Sequence, residues 1–167
     1  LALTPAWSAA QQAIVKSPPD TTAREIAGVV AGGTKVQLIR DLFQSTEGPI
    51  AMPDGSLLFT EQDAGDGALV RIDKDGNVST FLENSNGSNG LAFDSKGRLI
   101  STQTAAGQER IGVVYPKGAE ATLADNIGRP NDLVVNKAGG IYFTAPGQTP
   151  VVYYIPPGGK AVKAADG

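Results

Sequence analysis

The sequence of 167 residues contains no cysteine and no histidine. The first absence excludes disulfide bonds, thiolate metal sites and cysteine nucleophiles. The second excludes Ser-His-Asp triads, histidine-ligated zinc and the side chain that most often serves as a general base near neutral pH. Any chemistry therefore depends on carboxylates, amides, hydroxyls, amines, guanidinium groups, the backbone or a bound ion.

The chain also lacks a basic cluster and a long apolar run. Its 14 Lys and Arg residues face 17 Asp and Glu residues, a net charge of −3, which argues against a nucleic-acid partner. No apolar run approaches the roughly 20 residues that span a bilayer, so no membrane insertion is expected. The small residues Ser8-Ala9-Ala10 are typical of an export signal cut after Ala10, which predicts a periplasmic or secreted protein. An arbitrary fragment end, with a cytoplasmic location, is the alternative.

Glycine and proline are abundant, at 21 and 11 residues, which favours many short strands joined by tight turns. Residues 1–34 are interpreted as a leader and linker with one short helix near Ala23–Val30. The alternating stretch Lys35–Phe43 predicts a strand.

Three segments are copies of one another at a spacing of 42 positions: residues 47–60, 89–102 and 131–144. Each opens with an oxygen-bearing side chain, turns at a glycine and ends at a threonine. A period near 40 residues built from short strands is typical of a β-propeller blade. We therefore predict an all-β propeller domain over 35–167, with blades starting near 47, 89 and 131.

The second half of each repeat keeps the same spacing, and Asp75-Gly76 predicts a hairpin between two of its strands. Each blade thus receives about four strands, and Lys35–Phe43 is interpreted as the outer strand that closes the last blade of a ring. Since propellers need about four to eight blades, three blades make an incomplete propeller. We expect the chain to be part of a longer protein; the alternative is that copies associate through their open blade edges.

The residues that open the inner strands are Glu47, Asn89 and Asn131. Inner strands line the central channel of a propeller, so these side chains are expected to meet at one mouth of it. A carboxylate with amide oxygens suits a hard cation such as Ca²⁺ or Mg²⁺. The alternative for the two asparagines is that they only form turns.

The Glu47-Gly-Pro motif, the block from Ser88 to Asp94, and the block 128–135 followed by 140–144 resemble the gluconolactonase/regucalcin (senescence marker protein) family. The resemblance covers about residues 35–167. It implies a six-bladed propeller, of which three blades are present as the N-terminal half. It also implies hydrolysis of a sugar lactone or other small ester with one divalent metal, Ca²⁺, Zn²⁺ or Mg²⁺.

The resemblance also implies roles for single residues. It identifies Glu47 and Asn131 as metal ligands, and Arg129, Asn131 and Asn89 as substrate-binding residues. Arg129 as an ordinary surface arginine is the alternative, and Asp132 is expected to brace the mouth of its strand.

The sequence departs from the family pattern at several points. The family's further asparagine ligand and its proposed general base lie in blades that are absent here, so no catalytic residue is assigned. Ala145 stands where related sequences carry an aspartate. The isolated chain is therefore expected to bind metal weakly and to hydrolyse little or nothing. A non-catalytic propeller that binds sugar or protein is the alternative function.

Overall fold

The structure, a computed structural model, describes residues 21–41, 43–62 and 66–166. These residues fall into two compact units, of which the second begins at Phe43. None of them is helical, so the described part holds no helix that could cross a membrane. The predicted tail of an export signal at Ser8-Ala9-Ala10 lies outside the described residues.

The first unit contains a short hairpin in place of the predicted helix at Ala23–Val30. Strand β1 (Thr21–Thr22) pairs with β2 (Lys35–Val36), and Ile26 forms an antiparallel bridge with Val30 inside the connection. The helix prediction was wrong because these backbone donors bond across the hairpin: the N–H of Ile26 donates to the carbonyl of Val30 at 3.0 Å. Gly28, with φ of 76°, makes the turn between them.

The predicted strand Lys35–Phe43 is also shorter than expected. Of its described residues, only Lys35–Val36 form a paired strand, and their partner is β1 rather than an outer blade strand. The role of this segment in closing the last blade of a ring stays a prediction, because the described residues include no such blade. Phe43 belongs to the second unit, where its ring meets that of Phe59 edge-on at 4.9 Å.

The second unit consists of three antiparallel sheets of four strands each, as the repeat predicted. Each sheet is a blade whose strands follow one another in chain order. Blade 1 contains β3 (Thr46–Ala51), β4 (Leu57–Glu61), β5 (Ala68–Ile72) and β6 (Val78–Glu83). Blade 2 contains β7 (Ser88–Phe93), β8 (Leu99–Gln103), β9 (Arg110–Tyr115) and β10 (Ala121–Asp125). Blade 3 contains β11 (Leu133–Val135), β12 (Ile141–Ala145), β13 (Val151–Ile155) and β14 (Val162–Asp166).

The blades pack face to face through two apolar clusters. Leu58 of blade 1 meets Leu91 and Leu99 of blade 2, whereas Ile100 of blade 2 meets Phe143 of blade 3. Successive residues of a strand point to opposite faces of the sheet. For this reason β8 is buried along its whole length, since blade 2 is covered on both faces, while β12 alternates between buried and exposed residues.

A carboxylate closes the turn between β7 and β8. One oxygen of Asp94 accepts the backbone N–H groups of Lys96 and Arg98, both at 2.9 Å, and the other accepts Nε of Arg98 at 2.7 Å. Burial of the carboxyl acts to raise its pKa. The backbone N–H and guanidinium of Arg98, with the N–H of Lys96, outweigh that effect and hold the pKa of Asp94 below its ordinary value.

We expect Asp94→Asn to lower the free energy of unfolding at pH 7 by about 1 kcal/mol, because the charge-assisted bonds weaken. A folded-state pKa below the unfolded value of 3.8 stabilises the protein above that pH, and the contribution is lost as the pH falls through the folded pKa. Urea unfolding should therefore show the gap between Asp94→Asn and wild type closing in acid. Asp75→Asn, in an exposed turn, is the control; a gap that is constant with pH would contradict this account.

Candidate functional site

The inner strands of blades 1 and 2 are irregular where they open, whereas the described pairing of β11 with β12 in blade 3 is regular. In blade 1 the pairing shifts between Glu47 and Ile50, and in blade 2 it shifts between Ser88 and Leu91. Such β-bulges place an extra residue on one strand and redirect the neighbouring side chains. The openings at Glu47 and Asn89 are therefore points where the ladders are interrupted.

The backbones of the three openings contact one another in series. A Cβ on Gly48 would collide with the carbonyl oxygen of Asn89, and a Cβ on Gly90 would collide with Asp132. The N–H of Gly90 also donates to the carbonyl of Asn131 at 3.1 Å. Glycine at positions 48 and 90 thus allows neighbouring inner strands to approach at the same end of the blades.

The threonine that ends one repeat binds the residue that opens the next repeat. The hydroxyl of Thr60 donates to the carbonyl of Asn89 at 3.0 Å, and that of Thr102 donates to the carbonyl of Asn131 at 2.6 Å. Both threonines are fully buried. The recurrence of threonine at the end of each repeat was visible in the sequence, but the bond across blades required the fold.

The side chains at the openings differ in environment. Asn89 is only 6% exposed, and its amide makes no hydrogen bond to another described residue, whereas Glu47 and Asn131 are exposed. An amide without a hydrogen-bond partner among the described residues is available to a ligand. Within residues 21–41, 43–62 and 66–166, no three His, Cys, Asp or Glu side chains cluster as a metal site. A cation here would depend on amide oxygens beside Glu47.

The structure does not bring Arg129 and Glu47 to one cavity. Arg129 is exposed and borders a hollow of about 440 Å³ between the β8–β9 and β10–β11 connections. Glu47 borders a separate apolar hollow of about 290 Å³ on blade 1. The predicted roles of both residues in binding stay predictions. Asp132 accepts the N–H of Leu133 at 2.8 Å, in keeping with the bracing role expected of it.

A buried glutamine next to the mouth escaped the sequence analysis. Oε1 of Gln103 accepts Nε of Arg110 at 2.6 Å and the amide of Asn86 at 2.9 Å. Gln103 directly follows the repeat threonine, as Glu61 does in blade 1, so an oxygen-bearing side chain recurs at this position. In blade 3 the corresponding residue is Ala145, which has no side-chain oxygen. Because the third copy lacks the feature, the recurrence was not recognised from the sequence.

Three consecutive four-stranded sheets packed face to face define the chain as a β-propeller. No protein-family model and no curated protein matches the sequence. Among solved structures, the chain is similar to a gluconolactonase of Xanthomonas campestris, with 25% identity, a TM-score of 0.65, and 77% of this chain and 49% of that chain covered. The described blades are thus gluconolactonase-like in fold, as the resemblance predicted.

Two further structures share the architecture. A protein proposed to be a gluconolactonase, solved by a structural genomics consortium, is 19% identical with a TM-score of 0.66, over 78% of this chain and 51% of that chain. An inactive virginiamycin B lyase of Staphylococcus aureus, solved with quinupristin, is 21% identical with a TM-score of 0.55, over 78% of this chain and 44% of that chain. At these identities the likeness shows the fold alone. The chain spans about half the length of the gluconolactonase structures that it matches.

Proposed function

We propose that these blades form part of a divalent-metal-dependent hydrolase of sugar lactones or related small esters. The observation that carries the proposal is the row of openings at Glu47, Asn89 and Asn131, whose backbones contact one another at one end of the blades. The likeness to the gluconolactonase of Xanthomonas campestris supports the same reading.

The donor set suits a hard cation, Ca²⁺ more than Zn²⁺. Glu47 offers a carboxylate and Asn131 an amide oxygen, and these two residues would hold the ion. Asn89 is nearly buried, and its amide, which has no partner among the described residues, is suited to bind the substrate beside the ion. A cation bound here would polarise the carbonyl of a lactone. Ca²⁺ takes six to eight oxygen ligands, so these residues supply only part of its shell.

The other role assigned to this chain is substrate binding rather than proton transfer. The guanidinium of Arg129 is suited to bind substrate oxygens by charge-assisted hydrogen bonds. We assign no described side chain as the base that activates water. The chain by itself is therefore proposed to hydrolyse lactones little or not at all.

A non-catalytic propeller that binds sugar or protein is the second candidate. Two observations favour it: Ala145 supplies no carboxylate next to the repeat threonine, and Glu47 and Arg129 border different hollows. Fold alone does not decide between the two functions. Lactone binding that requires Ca²⁺ and is lost in Glu47→Gln would support the lactonase. Sugar binding that is indifferent to both would support the second candidate.

Calcium titration by calorimetry tests the metal site. For the 17.2 kDa monomer we expect a dissociation constant of about 10⁻³ M, in the range of weak calcium modules, because the shell is incomplete. Glu47→Gln should abolish the heat of binding, since it removes the only carboxylate proposed as a ligand.

Glu83→Gln is the matched control, because Glu83 is exposed at the end of β6. It should leave the titration unchanged. Micromolar affinity in the monomer would contradict the incomplete shell. Equal binding by wild type and Glu47→Gln would remove Glu47 from the site.

A further inference from the structure

A hollow of about 380 Å³ lies between blade 1 and the outer strands of blade 2. Leu82 of β6 borders it from blade 1, and Gln103, Arg110 and Val114 border it from β8 and β9 of blade 2. Its size falls within the range of small-molecule sites, about 300–1,000 Å³. None of the residues proposed above to bind metal or substrate borders it, so the hollow is distinct from the candidate site.

A buried amide with a fixed orientation borders this hollow. Gln103 is 2% exposed, and its Oε1 accepts hydrogen bonds from Nε of Arg110 and from the amide of Asn86. Its Nε2 is therefore the donor end and carries two N–H groups. Nε2 makes no hydrogen bond to another described residue, so both donors are available to a ligand in the hollow.

The guanidinium of Arg110 is held at the same end of the hollow. Gln103 and Arg110 lie directly opposite each other in the β8–β9 ladder, and their hydrogen bond occupies Nε of Arg110. Among the residues that the structure describes, no carboxylate forms an ion pair with the guanidinium. Asp125, its neighbour in the ladder with β10, instead accepts the amide of Asn126 at 3.1 Å. The two Nη groups thus remain as a planar pair of donors that matches the two oxygens of a carboxylate.

A glycine in β9 leaves room for this arrangement. A Cβ on Gly112 would lie 2.6 Å from Nε2 of Gln103. Glycine inside a strand often marks a place where a ligand or another chain segment approaches closely. The positions that correspond to Gln103, Arg110 and Gly112 in the ladders of the other blades are Glu61, Ala68 and Val70 in blade 1, and Ala145, Val151 and Tyr153 in blade 3. The donor pair over a glycine is therefore not required to build a blade.

The rest of the hollow is aliphatic up to its far end. Leu82 and Val114 are half-buried and pack against the apolar cluster between blades 1 and 2. The other charged residue that borders the hollow, Glu120, is exposed, and its carboxylate accepts the N–H of Gly118 at 2.7 Å. By the register of β9 with β10, Glu120 lies more than three residues along the strand from the guanidinium, roughly 10 Å. The end that offers donors is thus positive, and the wall beside it is apolar.

We propose that this hollow binds a small carboxylate with a short aliphatic body. The carboxylate accepts hydrogen bonds from the Nη groups of Arg110 and from Nε2 of Gln103, while the aliphatic body lies against Leu82 and Val114. Hydrogen bonds between a guanidinium and a carboxylate are charge-assisted and directional, which gives the site its selectivity. This inference does not depend on the proposed lactonase, because the two sites share no residue.

An NMR titration of the whole chain with 3-methylbutanoate, a small branched carboxylate, tests the proposal. We expect saturable shifts of the side-chain amide signals of Gln103 and of the backbone amide signal of Gly112, with a dissociation constant of about 10⁻³ M because the ligand is small. The neutral 3-methylbutanamide has the same shape and should bind about tenfold more weakly or worse, since it offers no charge to the guanidinium. Signals that do not respond to the carboxylate, or that respond equally to the amide, would overturn the proposal.

Two variants locate the site. Gln103→Glu retains an oxygen for Arg110 and Asn86 but replaces the free donor with a negative charge. It should abolish the saturable shift of Gly112. Arg110→Gln removes the guanidinium and should weaken binding about tenfold or more. Lys137→Gln, which removes a positive charge from an exposed turn of blade 3, should leave the dissociation constant unchanged.

Circular dichroism establishes whether each variant is folded. Binding that persists in folded Gln103→Glu would overturn the proposal, and so would an equal loss in Lys137→Gln, which would indicate attraction to the net charge rather than to this hollow. If neither site variant folds, the comparison of carboxylate and amide on the wild-type chain decides.

Discussion

Replacing Gly90 with alanine is expected to lower the free energy of unfolding by about 3 kcal/mol, the upper part of the usual range for overpacking. The added Cβ would collide with the carboxylate of Asp132 and lie 2.8 Å from its Cα and 3.1 Å from the carbonyl oxygen of Asn131. Because two of these neighbours are backbone atoms of blade 3, a side-chain rotation cannot relieve the collision. The inner strands of blades 2 and 3 would have to separate.

Gly147→Ala is the matched control for this prediction. Nothing lies within 4 Å of a Cβ at Gly147, and its φ lies outside the left-handed region. Replacing Gly147 with alanine should therefore alter the free energy of unfolding by less than about 0.5 kcal/mol. Urea unfolding followed by circular dichroism measures both variants. If Gly90→Ala lowered the free energy of unfolding no more than Gly147→Ala, the strand openings would not approach as closely as described. The candidate site built on that approach would then be contradicted.

The blades could be predicted because their information is local and repeated. A period of 42 positions, a glycine turn and alternating apolar residues in each copy all indicate the same hairpins, and agreement of local signals is what specifies a fold. The turn at Asp75-Gly76 illustrates this. It joins β5 to β6 as predicted, with Gly76 at φ of 83°.

The hairpin of the first unit could not be predicted from the same kind of signal. Ala23–Val30 has no repeat to support it, and its composition is compatible with a helical turn. The pairing of Thr21 with Val36 decides the outcome, and that contact joins residues far apart in the sequence. The pairing of the two flanking strands decides the conformation of the short segment between them and overrides its intrinsic helix propensity.

The candidate site was predictable in its position but not in its contacts. Glu47, Asn89 and Asn131 were found because they occupy one register position, and the fold places their backbones side by side. The register of a residue does not say how exposed its side chain is. Only the structure shows that Asn89 is buried whereas Glu47 is exposed. Arg129 lies outside the repeat motif, so its separate hollow was not predictable.

Replacing Phe143 with alanine is expected to lower the free energy of unfolding by about 4 kcal/mol, typical of the loss of a buried phenylalanine. Phe143 is 1% exposed, stacks on Tyr153 with ring centroids 5.0 Å apart, and packs against Ile100 and Ile111 of blade 2. The lost ring would leave a cavity in the apolar layer between blades 2 and 3.

The adjacent residue provides the control, because it points to the other face of the same strand. Tyr142→Ala removes a ring that is 39% exposed and stacks on Tyr154, so we expect a loss of about 1 kcal/mol. A large difference between these neighbouring residues of one strand would show that blade 3 is stabilised mainly through the face that packs against blade 2. Equal losses would mean that both faces of β12 are covered, which would contradict the alternation of buried and exposed residues along it.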